Sequence, residues 1–296
     1  MEAYTAAYCP VCPMKTSSMR FWTQNIQHWW RARQSPQGSG APRVSELLDN
    51  KSLSTVFQPM VDLRTGAVVG HEALIRTPRT VGEWTYEDLL VAAKEQHYQK
   101  QFELGCIEFA IEHWLADQPK GQLFVNISAY TLVQLHESGG TDTLLQLLRK
   151  YKLQPKRMGL DITGYTRIPS ITTLVEAVVP LRAAGMAIAL DDFKVSDNSM
   201  RVWTKLLPSI VKVAARWTRS VDTVTENSAM FSSLVRLTQN HDCMLLAKSV
   251  ETEAELRALR KLGVDLAQGF FLGSPAQDPI AQLNLRARAV LTEVAF

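Results

Sequence analysis

Two spacings of apolar residues alternate along most of this chain. Short runs dense in Val, Ile, Leu and Phe read as strands, and stretches with apolar residues three and four apart read as helices. The first two runs, residues 56–63 and 67–75, are joined by Arg64-Thr65-Gly66, a hairpin signal. Helix and strand then take turns: a helical region over 86–115, strand 123–128, helix 143–150, strand 158–163, helix 171–184 and strand 186–193. Strand 210–213, a mostly helical 221–239, strand 244–247, helix 253–262 and a last strand within 264–271 complete the series. The run Met186-Ala-Ile-Ala-Leu190 is apolar at every position, the pattern of a strand covered on both faces. It ends in Asp191-Asp192, and a polar, turn-like run over 194–199 follows.

Strands alternating with helices over so long a stretch predict an α/β fold, a TIM-like (β/α) barrel rather than an open sheet. No Gly-rich phosphate fingerprint follows the first strand, which argues against a dinucleotide-binding sheet. In such barrels the strand ends converge on one mouth. Glu72, Asn126, Asp161, Asp191, Asp192, Lys212, Lys248 and Gln268 all fall in or at the ends of predicted strands. One polar residue inside a strand is ordinarily a satisfied core group, whereas a set of them in register marks a site. Acids, an amide and lysines together suit a hard cation such as Mg²⁺ or Mn²⁺, with phosphate as the natural ligand. Adjacent carboxylates repel unless a cation or proton intervenes; the plainer role for Asp191-Asp192 is to cap the next helix.

The 296 residues, 46% hydrophobic and 21% charged, suit one large domain with an appendage. The expected division is an N-terminal extension over 1–45, the barrel over 46–285 and a tail over 286–296. A net charge of +3 without a long basic run gives no case for nucleic acid. Of the four cysteines, only Cys9-Pro-Val-Cys12 has metal-ligand spacing, and no second pair completes a zinc site within one chain. Neither a signal peptide nor a long apolar span is evident, so a reduced, cytoplasmic setting is expected. Residues 20–33 read as a short helical extension with Trp22, Ile26, Trp29 and Trp30 on one face and Arg20, Arg31 and Arg33 near its ends. Such a segment suits a membrane interface or a partner's groove; the alternative is docking on its own domain. Residues 35–42 form a linker by composition, and Met14 and Met19 are alternative starts that would remove the cysteine pair.

The strand motifs carry a resemblance. Val56-Phe57-Gln58-Pro59, Glu72-Ala73-Leu74-Ile75-Arg76, Phe124-Val125-Asn126-Ile127-Ser128, Asp191-Asp192-Phe193, Lys212, Glu251 and Gln268-Gly269-Phe270 occur in the order found in EAL domains. From about residue 53 to 275 the chain resembles that family of cyclic di-GMP phosphodiesterases and their inactive relatives. The resemblance implies a barrel of the EAL type. In active members it also implies two divalent metals that activate a water to open cyclic di-GMP to linear pGpG. Glu72, Asn126, Asp161 and Asp191 would surround one metal, with Asp191 and Asp192 reaching the other. Gln58, Leu74, Arg76, Asp191, Lys212 and Gln268 would hold the nucleotide, Arg76 by pairing with a phosphate.

The chain departs from the family pattern where the chemistry is most demanding. Ala247-Lys248-Ser249-Val250-Glu251 stands where Ala-Glu-Gly-Val-Glu is usual, so Lys248 takes the general-base position while Glu251 is kept. An ammonium cannot accept a proton from water at neutral pH unless its pKa is strongly depressed. Glu-x-Thr-Glu becomes Asp161-Ile162-Thr163-Gly164, the loop after the double Asp lacks its glycines at 194–198, and Ala214 replaces an Asp. The domain therefore reads as catalytically degenerate. Three functions compete: a receptor that binds cyclic di-GMP and signals to an unidentified regulatory protein, a working phosphodiesterase with a relocated base, and a nucleotide-independent protein-binding domain. Mg²⁺ or Mn²⁺ is expected if any metal is bound, and Lys194 and Lys248 are candidates to balance phosphate charge in its place. A membrane surface contacted by residues 20–33 and self-association as a homodimer complete the partners to consider.

Overall fold

A computed structural model describes residues 42–78, 82, 84–117 and 119–293. The Trp-rich segment over 20–33, the Cys9/Cys12 pair and most of the linker lie outside the described residues. In chain order the elements are α1 (Val44–Asp49), β1 (Ser54–Asp62), β2 (Val68–Arg76), α2 (Tyr86–Glu95), α3 (Gln99–Ala116), β3 (Gln122–Ser128), α4 (Ala129–Glu137) and α5 (Thr143–Lys150). They continue with β4 (Met158–Thr163), α6 (Ile171–Ala183), β5 (Ala187–Phe193), α7 (Asp197–Leu206), β6 (Ile210–Val213) and α8 (Ala215–Thr218). The last are α9 (Thr225–Gln239), β7 (Met244–Ala247), α10 (Glu253–Lys261), β8 (Leu266–Ala267) and α11 (Leu285–Thr292).

The eight strands close into a barrel in sequence order. All neighbours run parallel except β1, which is antiparallel to both β2 and β8. That reversal follows from the hairpin, since a short turn can only return the chain antiparallel. Asp62 builds the turn, its carboxylate accepting from the backbone N–H of Arg64 at 2.9 Å and of Thr65 at 2.7 Å.

Side-chain alternation sorts the barrel interior into layers. Met60, Phe124, Ala189, Ile210, Leu246 and Leu266 form one buried apolar cluster inside it. Successive same-face positions on a strand are two residues apart. One step toward the mouth from each of these therefore comes a polar residue: Gln58, Asn126, Asp191, Lys212, Lys248 and Gln268. For β1, which runs the other way, the step is backward in sequence. A larger cluster between strands and helices, including Trp114, Ile188, Trp203 and Leu245, makes up the outer core. Apolar floor and apolar jacket thus leave one polar layer.

The barrel is as the pattern predicts, with local differences. The expected helix over 86–115 breaks into α2 and α3 at Gln96-His97-Tyr98, where His97 takes φ +53° and the Tyr98 N–H returns to Ala93 O at 2.7 Å. The break folds α2 back so that the rings of Tyr86 and Phe102 stack 5.9 Å apart. The turn-like run after Asp192 enters a helix, α7, capped by the Ser196 hydroxyl accepting from Ser199 N at 3.2 Å. The last strand shrinks to Leu266–Ala267. Past residue 285 the chain forms α11, which buries Ala287, Val290 and Leu291. Among the described residues no helix is long and apolar enough to cross a membrane.

Candidate functional site

The polar layer opens into a cavity of about 790 Å³ at the mouth. Register brings its members level: Gln58 faces Glu72 across the β1–β2 ladder, and Asn126 faces Asp161 across β3–β4. Lys212 is the hub. Its side chain is fully buried, and its Nζ donates to Glu72 Oε2 at 2.9 Å and to Asp161 Oδ2 at 2.5 Å. The same Nζ also lies 5.4 Å from the Phe124 ring centre. Asn126 Nδ2 donates to the other oxygen of Glu72 at 3.2 Å. Lys248 enters from the end of β7 and donates to both oxygens of Asp191, at 2.7 and 2.9 Å.

The charges tune one another. Burial alone would raise the Glu72 carboxyl, but Lys212 and Lys248 outweigh it and hold the group down at about 2. Asp161 goes the other way: burial, with help from Glu72 and Asp191, exceeds the pull of Lys212 and pushes it up to about 7. Burial also works against the charge on Lys248, yet Asp191, then Glu72, raise its pKa well above the ordinary lysine value. Lys212 is raised for the same reason, by Asp161 and Glu72 against burial. Both ammoniums keep their protons at any physiological pH.

Each carboxylate oxygen of Glu72, Asp161 and Asp191 has a hydrogen-bond donor except Asp161 Oδ1, which is buried without a partner. Among the described residues no group of three or more His, Cys, Asp or Glu side chains is arranged to hold a metal ion. Two ammoniums stand within hydrogen-bonding distance of the carboxylates that a metal would need.

Other sequence candidates divide between this layer and its rim. Gln268 Nε2 donates to Gln58 Oε1 at 3.0 Å, Gln58 Nε2 to Gly273 O at 3.3 Å, and Gln268 Oε1 is buried without a partner. Leu74, Arg76 and Glu251 line the cavity. Arg76 Nη1 donates to its neighbour's carbonyl, Ile75 O, at 2.9 Å, and Glu251 N donates to the helix-capping Glu255 Oε2 at 2.9 Å. Asp192 stands apart from the buried cluster. It takes φ +51°, is exposed, and pairs with Lys194 at 3.0 Å, so that Lys194 answers Asp192 and not the buried carboxylates.

The cavity also has walls the sequence pattern did not single out, Trp84 before α2, Glu87 in its first turn and Arg219 after α8, beside Ser249 and the half-exposed Phe270 of the motifs quoted above. They sit on loops or helix ends, where no periodicity points inward. Gly269 fixes one wall, because a Cβ there would fall 2.1 Å from Val250 N and 2.2 Å from Val250 O. Only glycine lets the Gln268 strand end lie against the segment carrying Lys248 and Glu251.

Known proteins resemble this chain in sequence and in fold. The bifunctional diguanylate cyclase/cyclic di-GMP phosphodiesterase MucR of Pseudomonas aeruginosa is 26% identical over 245 residues, 78% of this chain and 34% of its own. The probable cyclic di-GMP phosphodiesterase PdeB of Escherichia coli is 25% identical over 236 residues, 77% of this chain and 43% of its own. The chain thus spans well under half the length of these curated relatives. Among solved structures, the PaMucR phosphodiesterase in its c-di-GMP complex superposes with a TM-score of 0.70 at 26% identity, covering 79% of this chain and 95% of that one. The Xanthomonas citri FimX EAL domain in complex with c-diGMP gives 0.71 at 16% identity, covering 90% and 99%, which shows the shared fold. The model of the EAL domain matches residues 42–275, most of the described barrel, and the chain belongs to the EAL domain family.

Proposed function

We propose that this barrel binds cyclic di-GMP at its mouth without hydrolysing it and passes its occupancy to a regulatory protein partner. One observation carries the reading: Lys248, which the motif resemblance sets at the general-base position, is a protonated ammonium paired with Asp191. Such a group can donate to a phosphate oxygen but cannot take a proton from water. The related phosphodiesterases and the c-di-GMP complexes of MucR and FimX supply the ligand class. Arg76, Lys248 and Arg219 line the same cavity and offer positive charge, and Trp84, Leu74 and Phe270 offer apolar surface for the bases.

Metal is the second half of the proposal. A YkuI structure from Bacillus subtilis holds c-di-GMP and calcium. The residues of this chain do not fit a two-cation centre of Mg²⁺ or Mn²⁺, because Lys212 and Lys248 already satisfy five of the six carboxylate oxygens of Glu72, Asp161 and Asp191 together with Asn126. Two fixed ammoniums supply the charge balance instead. Calorimetric titration with cyclic di-GMP in EDTA and in Mg²⁺, beside a chromatographic assay for pGpG, tests both halves. Equal binding in both buffers with no product supports the reading. Metal-dependent turnover that vanishes in Glu72→Ala replaces it with an active phosphodiesterase, and absence of binding leaves a protein-binding domain.

A further inference from the structure

A second recess lies on the flank of the barrel, beyond the cyclic di-GMP mouth, and it is built differently. Its volume is about 610 Å³, and its lining includes Lys94, His97, Lys100 and Arg167 but no Asp or Glu. None of these four side chains forms an ion pair among the described residues. Gln99, Lys100 and Gln101 on the lining are the first turn of α3, an 18-residue helix with no side-chain cap and no acidic residue in that turn. Its first backbone N–H groups therefore add their partial positive charge to the cations. Glu103, which the lining residues Gln99 and Ser128 contact, is fully buried and is engaged by Ser128, Thr131, Gln99 and Tyr86.

Gly164 belongs to this recess. It takes φ +65°, and a Cβ built there meets nothing within 4 Å. Gly164 brings no side chain into the recess, and the charged residues on the lining are all basic. The half-exposed Tyr130 ring and Ile168 offer an apolar side, and Gln101 and Gln134 offer amides. We infer that this flank recess is a second ligand site, one that takes a small phosphorylated molecule on the scale of a mononucleotide. The volume lies within the range of small-molecule sites, and a helix N-terminus beside Lys and Arg is a standard phosphate cradle. Thr163 lines both the recess and the mouth, so the two sites share a strand end.

The test uses the full chain and two probes, pyrophosphate and GMP, titrated by calorimetry at ionic strength matched with sodium chloride. Saturable binding of either probe is expected, weakened about tenfold or more in Lys100→Gln/Arg167→Gln and unchanged in Arg76→Ala. The double variant alters exposed or half-exposed side chains, and an unchanged melting temperature without ligand verifies its fold. As a second measurement, the amide resonances of residues 99–101 should shift on adding pyrophosphate. Heat indistinguishable from the chloride control would overturn the inference. So would binding lost in Arg76→Ala and kept in the double variant, because the probe would then sit in the mouth.

Discussion

Lys248 holds Asp191 by both oxygens, at 2.7 and 2.9 Å, across strands β7 and β5 of the barrel mouth. The pair ties together two strands that are not neighbours in the barrel, because β6 lies between them. Asp191 is 8% exposed and Lys248 24%, so the attraction is only partly screened. Removing the ammonium alone leaves a nearly buried carboxylate uncompensated, which is costly.

Lys248→Glu is therefore expected to destabilise the protein and not to confer turnover of cyclic di-GMP. It places a fourth carboxylate beside Glu72, Asp161 and Asp191 while Lys212 alone remains, and Gly164 and the loop over 194–198 stay unchanged. The variant should, however, gain stability from Mg²⁺, because excess negative charge invites a hard cation. Thermal melts with and without Mg²⁺ decide this. A wild-type melting temperature that rises with Mg²⁺ as much as the variant's would contradict the displacement of metal by lysine.

Asp161 makes stability depend on pH in an uncommon direction. Burial pushes its carboxyl from 3.8 up to about 7, so the folded state holds the proton more tightly than the unfolded chain. Its contribution is full below the unfolded value and is lost as pH rises through about 7. Asp161→Asn keeps the shape and an acceptor for Lys212 but does not ionise. Between about pH 4 and about pH 8, wild type should lose a few kcal/mol relative to the variant, measured by urea unfolding. Glu72 acts oppositely. Held at about 2 instead of 4.5, it stabilises above 4.5 and loses that contribution as pH falls toward 2. Glu72→Gln should flatten that acid limb, and parallel pH profiles for all three proteins would refute both assignments.

Much of this was legible in the chain because a barrel strand repeats every two residues. The apolar runs placed the strands, and the polar residue one step above each floor residue placed Asn126, Asp191, Lys212, Lys248 and Gln268 together. Partner choice was not legible. Adjacency in sequence grouped Asp192 with Asp191, yet a single left-handed residue turns Asp192 outward to Lys194. Lys194, counted as charge for the mouth, is spent on that neighbour. Trp84 and Arg219 reach the cavity from irregular backbone, where no periodicity carries the signal. The break of the long helix at His97 depends on a left-handed residue that is not glycine, a choice set by packing of α2 on α3 and invisible to propensity.

Gly269→Ala tests how the walls are fixed. Its Cβ would fall 2.1 Å from Val250 N, and the backbone there is pinned by Val250 N to Gln268 O at 3.0 Å and Phe271 N to Val250 O at 3.0 Å. Backbone cannot swing away as a side chain can, so the substitution should cost about 1–3 kcal/mol or more by overpacking. It should also weaken ligand binding by displacing Lys248 and Gln268 together. Denaturant unfolding of the variant gives the number. A loss below roughly 0.5 kcal/mol, the scale of an ordinary surface change, would mean the two segments part easily.

Arg76 offers the most direct test of the mouth. It ends β2 on the rim of the cavity, with its guanidinium donating only to Ile75 O among the contacts resolved for it and with Glu87 and Glu72 as its charged neighbours. Partial desolvation of the guanidinium at the rim draws its pKa down, but it remains charged at any working pH. Two phosphates entering a mouth that already holds Glu72, Asp161 and Asp191 need such a cation at the edge, because Lys212 is fully buried and committed to two carboxylates. Arg76→Ala should leave the barrel folded, since the residue is exposed. It should weaken cyclic di-GMP by roughly 1.5–3 kcal/mol, the scale of a hydrogen bond to a charged group. Arg76→Lys should recover part of the loss, because a point charge replaces a planar fork. Calorimetry on the three proteins measures the differences, and equal affinities would remove the phosphate from the rim and the nucleotide from this mouth.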